Sequence, residues 1–190
     1  MRAWMAVVAM LFAVAPATAG FRIEGGKEDS FPAAAGVIAV LPATCPATFD
    51  CAWLDRQIEG ELLRFKEGHF RSAQQAQAAL QALGKQVYSA EDRQTLAERL
   101  DAQTVLEIHL RELVEIKEGR SSDPDDTMVG GRDGNHTVRG RLEIRAYAAA
   151  SGQQLADGTA FGDADTGSAK RLVGPMLRQL LDRMFPRRGR

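Results

Sequence analysis

Residues 106–116, LEIHLRELVEI, and residues 138–148, VRGRLEIRAYA, are the stretches on which the fold turns. In the first, apolar side chains fall on even positions (Leu106, Ile108, Leu110, Val114 and Ile116), with Glu112 the exception. The odd positions carry Glu107, His109, Arg111 and Glu115. The second stretch sets Val138, Leu142, Ile144, Ala146 and Ala148 against Arg139, Arg141, Glu143, Arg145 and Tyr147. Alternation at a period of two predicts strands with one buried and one wet face. Residues 119–135 between them, GRSSDPDDTMVGGRDGN, are a loop by composition. Ser151-Gly152 turns the chain again, and Leu155, Thr159 and Phe161 suggest a third strand of the same meander.

Upstream, Gly36 to Pro42 is a short β-branched run ended by proline, which fits a strand buried on both faces in a parallel sheet. From Trp53 onward, Leu54, Ile58, Leu62 and Phe65 recur at helical spacing, with Arg56, Glu59 and Arg64 on other faces and Gly68 as the stop. His69 to Ala73 reads as a short strand. Gln74 to Leu83 is built of good helix formers, with Gly84 as its terminator. Ser89 stands three before Asp92, the start expected for a helix through Asp101 that buries Leu96 and Leu100. At the far end, Val173, Met176, Leu177, Leu180, Leu181 and Met184 form a helical stripe, with Pro175 expected in its first turn. No internal repeat interrupts this order. The expectation is one α/β domain over residues 36–185: a mixed sheet with an N-terminal buried strand, a C-terminal antiparallel meander and about four packed helices.

The 190 residues are 45% hydrophobic and 26% charged, with a net charge of −1. That balance is globular, and it lacks the cationic excess of a general nucleic-acid binder. The first twenty residues, MRAWMAVVAMLFAVAPATAG, hold one early charge (Arg2), an apolar run too short to span a bilayer, and the small-x-small triplet Ala17-Thr18-Ala19. A leader cleaved after Ala19 is expected, leaving a product that starts at Gly20 in the periplasm or beyond. The cleavage point has no cysteine, so no lipid anchor is expected there. Arginine outnumbers lysine 19 to 5, a bias of GC-rich bacterial genomes. Residues 20–35 read as a flexible lead-in without periodicity, and Pro186 to Arg190 as a basic tail. Its Arg187, Arg188 and Arg190 are too few for stable anchoring, although weak peripheral contact with anionic head groups is within their reach.

Cys45 and Cys51 enclose CPATFDC. In an exported chain the simplest reading is a disulfide closing a short loop, with free thiols or a redox or metal role as alternatives. The three histidines, His69, His109 and His136, stand in no metal motif, and His109 is expected on the surface. Asp123-Pro124-Asp125-Asp126 lacks the spacing of a calcium loop, and Gly130-Gly131 with Gly134 lacks the context of a phosphate cradle.

Three phrases carry a resemblance: VIAVLP (37–42), LAERLDAQTVLEIHL (96–110) and RLEIRAYAAASGQQLADGTAFG (141–162). In their order they resemble the α/β domain shared by the N-terminal domain of the translocation protein TolB, the curli secretion component CsgG and the penicillin-binding-protein activator LpoB. The resemblance spans about residues 36–185 and implies non-catalytic docking or assembly work at the bacterial envelope. The chain departs from the lipoproteins among them in having no cysteine at the cleavage site.

The functional expectation is therefore an exported accessory protein, without cofactor or metal, that binds an envelope protein partner and neither nucleic acid nor a membrane span. Its candidate docking face comprises Glu107, His109, Arg111, Arg139, Arg141 and Arg145. The bland alternative for these residues is cross-strand charge pairing on a solvated face. The alternative function is a periplasmic hydrolase or a small-ligand binder whose site only the fold assembles.

Overall fold

The computed structural model describes residues 20–24, 36–64, 69–117, 136–165 and 168–185. Its strands are β1 (Gly20–Glu24), β2 (Val37–Val40), β3 (His69–Arg71), β4 (Thr104–Lys117), β5 (His136–Ala148) and β6 (Gln154–Asp165). Its helices are α1 (Cys51–Leu62), α2 (Ala73–Ala82), α3 (Arg93–Arg99) and α4 (Ala169–Met184). The expected leader (residues 1–19), residues 25–35, the expected helix end at 65–68, the expected loop at 119–135 and the expected basic tail lie outside the described residues.

One mixed sheet runs in the order β1-β6-β5-β4-β2-β3, and the expected α/β architecture is present. β2 pairs in parallel with β3 on one side and β4 on the other. The two parallel crossovers therefore step across the sheet in opposite directions. Right-handed connection in both cases requires their helices to lie on opposite faces. Accordingly α1 packs with α4 against one face, while α2 and α3 pack against the other face beside β2 and β4. The main core combines Leu54 and Ile58 of α1 and Leu172, Met176, Leu177 and Leu180 of α4 with Leu106, Ile108, Leu142 and Ile144 of the sheet. A smaller cluster of Ala39, Leu41, Ala76, Leu80, Leu96 and Val105 fills the other side.

Local chemistry accounts for the helix ends. Asp50 caps α1 by accepting from the Trp53 backbone N–H at 3.0 Å. Ser72 and Gln75 form a reciprocal capping box that starts α2, and Gly84 follows it at φ +72°. The Ser89–Asp92 box is present too, but it opens a 3-10 turn at Ala90–Asp92 before α3, which ends at Arg99 rather than Asp101. α1 likewise ends at Leu62, short of Gly68.

Three further differences from the sequence reading have physical causes. Residues 20–24, assigned to the lead-in, pair antiparallel with β6 as β1, an edge strand without period-two patterning. Pro175 sits well inside α4, not in its first turn, because the helix begins at Ala169. The third concerns β4, where the pairing steps from Leu110↔Leu142 to Glu112↔Arg141 and leaves Arg111 as an extra residue. This bulge exchanges the two faces of the strand beyond it. Leu113 therefore joins the core side beside Gly140, while Val114 and Ile116 emerge 51% and 38% exposed. Glu112, the break in the alternation, marks the place.

Candidate functional site

α2 and α3 shield only the β2 end of their face. Arg93 of α3 reaches over Glu107 of β4 and Tyr147 of β5, and beyond these α2 and α3 contribute no residue to the hydrophobic clusters on β5 and β6 among the described residues. The register arranges this open face in rows. Arg145 lies between Glu107 and Asp157, Glu143 between His109 and Thr159, Arg141 between Glu112 and Phe161, and Arg139 between Val114 and Asp163.

Glu143 is the hub, and it is buried. Arg111 Nε donates to its Oε2 at 3.0 Å, Arg145 Nη2 to the same oxygen at 3.2 Å, and Arg141 Nη2 lies 2.7 Å from Oε1. The arginine side chains themselves remain 38–45% exposed. Burial pushes the Glu143 carboxyl up, but the hydrogen bond from Arg111 and the charges of Arg141, Arg111 and Arg145 outweigh it and hold it below the ordinary range. Three guanidiniums surround this one carboxylate, and Glu112, Asp157 and Asp163 stand in the adjoining rows of the same face. Arg141 also rides over the Phe161 ring, 5.2 Å from its centroid, and Arg139 is exposed one row further on.

The other half of the expected face is closed. Glu107 is buried, because Tyr88 and Arg93 reach over it from the segment entering α3. Tyr88 Oη donates to Glu107 Oε1 at 2.9 Å, Arg93 Nη2 donates to the same oxygen at 3.1 Å, and Arg93 Nε donates to Tyr88 Oη at 3.1 Å. The Arg93 guanidinium stacks 3.9 Å from the centroid of Tyr147. Burial raises the Glu107 carboxyl, but hydrogen bonds from His109, Tyr88 and Arg93 prevail and bring it down to about 2. Burial and the neighbouring Glu107 charge push the Tyr88 phenol up.

His109 is correspondingly not a surface residue. It is half-buried, with Nδ1 2.7 Å from Thr44 Oγ1 and Nε2 3.5 Å from Glu107 Oε2. Thr44 reaches it because the chain after β2 makes an isolated parallel bridge, Thr44↔His109. Of the six face residues expected from sequence, Arg111, Arg141 and Arg145 come together and Arg139 lies beside them, while Glu107 and His109 belong to an internal network. Sequence reasoning missed Glu143 as hub and Thr44, Tyr88 and Arg93 as partners. Glu143 was legible on the alternating face; the other three come from distant segments.

Elsewhere, Cys45 and Cys51 form a disulfide with Cα atoms 5.8 Å apart, joining the segment after β2 to the first residue of α1. The histidines do not converge: His69 lies on β3, His109 mid-β4 and His136 at the start of β5. Among the described residues no group of His, Cys, Asp or Glu side chains has the arrangement to hold a metal ion, and no helix is long and apolar enough to cross a membrane.

No protein-family model matches the chain, and no curated protein sequence matches it. Among solved structures, the lipoprotein GNA1162 from Neisseria meningitidis aligns with a TM-score of 0.53 at 12% identity, over 76% of this chain and 93% of that one. The chain shares the fold of that lipoprotein. The PelC dodecamer from Paraburkholderia phytofirmans gives a TM-score of 0.48 at 12% identity, covering 90% of this chain and 100% of that chain. The LpoB C-terminal domain from Salmonella enterica gives 0.46 at 14% identity, covering 70% and 84%. At such identities the likeness to GNA1162 concerns the fold.

Proposed function

We propose that the protein is exported to the bacterial envelope and works there as a non-catalytic accessory that docks a protein partner on the open face of its sheet. The observation that carries this reading is the half-exposed cluster of Arg111, Arg141 and Arg145 around Glu143 on the β4-β5 surface. Arginines beside an aromatic ring and the exposed Val114 and Ile116 make a composition typical of interface centres. The leader-like first nineteen residues support export. The resemblance to TolB, CsgG and LpoB domains supports work by assembly or activation of a partner.

The test is photocrosslinking in the native envelope from position 163, next to Arg139, with and without charge reversal at Arg139, Arg141 and Arg145. One discrete adduct, lost on reversal while circular dichroism shows the fold retained, is the expected result. Adducts scattered over abundant envelope proteins, or unchanged by reversal, would overturn the proposal. One observation favours the second reading, a hydrolase: Thr44, His109 and Glu107 stand in a hydroxyl–imidazole–carboxylate row. That reading requires fluorophosphonate labelling abolished by Thr44→Val, whereas the docking reading expects no labelling at position 44.

A further inference from the structure

We infer that the arginine cluster recognises carboxylates: the partner presents an extended segment with acidic side chains at alternate positions, laid along β5. This inference rests on the docking reading above and names the chemistry of the partner. Each of Arg111, Arg141 and Arg145 hydrogen-bonds or ion-pairs to Glu143 and keeps part of its planar guanidinium at the open surface. A guanidinium carries five N–H donors, so the Glu143 carboxylate does not exhaust them. Glu143 itself is buried beneath the arginines that it gathers. It acts as a fixed counter-charge that splays the three cations and leaves their outer edges for a second anion.

The spacing favours an extended peptide. Arg139, Arg141 and Arg145 all lie on one strand at positions of the same parity, and Arg111 is the bulge residue of β4 next to them. Alternate residues of a strand repeat about every 7 Å, which is also the repeat of alternate side chains in an extended ligand. The flanks argue against a broad polyanion. Glu112 on β4 and Asp157 and Asp163 on β6 border the arginine column on either side, so a nucleic acid or an anionic bilayer spread over the face would meet them too. An acidic segment centred on the β5 column meets these rows only along its two edges.

The inference can be tested on the full chain by NMR of arginine Nε–Hε groups, titrated with a capped peptide of alternating valine and glutamate. The glutamine counterpart and phosphatidylglycerol vesicles serve as competing probes. The expected result is a shift of the Arg111, Arg141 and Arg145 signals by the glutamate peptide only, with affinity falling as salt is raised. Arg111→Gln and Arg145→Gln should each weaken binding about three- to fivefold, with Arg99→Gln, on the exposed side of α3, unchanged. Equal binding of the glutamine peptide, or binding insensitive to salt and to both variants, would overturn the inference. Vesicle binding at these arginines without response to the peptide would also overturn it, in favour of a lipid head-group surface. If the envelope crosslink from position 163 survives Arg111→Gln and Arg145→Gln, the docking reading stands and carboxylate recognition falls.

Discussion

Glu107→Gln is the substitution that most directly tests the electrostatic account of this molecule. Glu107 is 9% exposed, and its carboxyl is brought from an ordinary 4.5 to about 2 by donors from Tyr88, Arg93 and His109. A folded-state value below the unfolded one means that the charged form stabilises the fold above pH 4.5 and that this contribution is lost as pH falls towards 2. The size of the depression corresponds to about 3 kcal/mol at neutral pH. Glutamine keeps the shape and an acceptor oxygen, so the variant isolates the charge. Urea unfolding followed by far-ultraviolet circular dichroism should place the variant about 3 kcal/mol below the parent at pH 7, a midpoint shift of about 1.5 M. The gap should shrink to about half that near pH 3, where the parent carboxylate is well into its unfolded-state titration. A gap under about 1 kcal/mol at pH 7, or one that does not narrow on acidification, would refute the reasoning.

The remaining predictions concern packing and the cross-link. A Cβ at Gly158 would stand 2.7 Å from Leu180 Cδ1, a side chain locked in the core, so Gly158→Ala should cost about 1–2 kcal/mol in the same assay. Gly140→Ala meets Leu172 at 3.4 Å and should change stability by less than about 0.5 kcal/mol, and equal effects at the two glycines would count against this account of how α4 seats on the sheet. Replacing Cys45 and Cys51 by serine should lower stability by about 2 kcal/mol, the chain entropy of so short a loop. It should also speed hydrogen exchange at the Trp53 amide that Asp50 caps, and unchanged stability with unchanged exchange would argue against the cross-link as a staple of that helix end.

Local periodicity made the β5 alternation, the α4 stripe and the parallel strand at 37–40 legible, because burial on one face imposes a two- or 3.6-residue rhythm on adjacent residues. The same rhythm failed at Val114 and Ile116, since a single extra residue at Arg111 reverses the faces and only pairing with β5 shows that residue to be extra. It also put Glu107 and His109 in water. Their burial is caused by Thr44, Tyr88 and Arg93, which approach from segments with no sequence relation to β4.

By itself, the sequence determined the order and type of the elements from β2 to α4, the position of the cysteine loop and the charged character of one side of the meander. These are properties of neighbouring residues, written in local composition and period. Tertiary structure alone decided which part of that charged side stays open, because shielding depends on where α2 and α3 come to rest. It also decided that Glu143 collects three arginines: Arg141 and Arg145 flank it on its own strand, whereas Arg111 arrives from β4 across the bulge. Long-range pairing sets that encounter, and no local pattern encodes it.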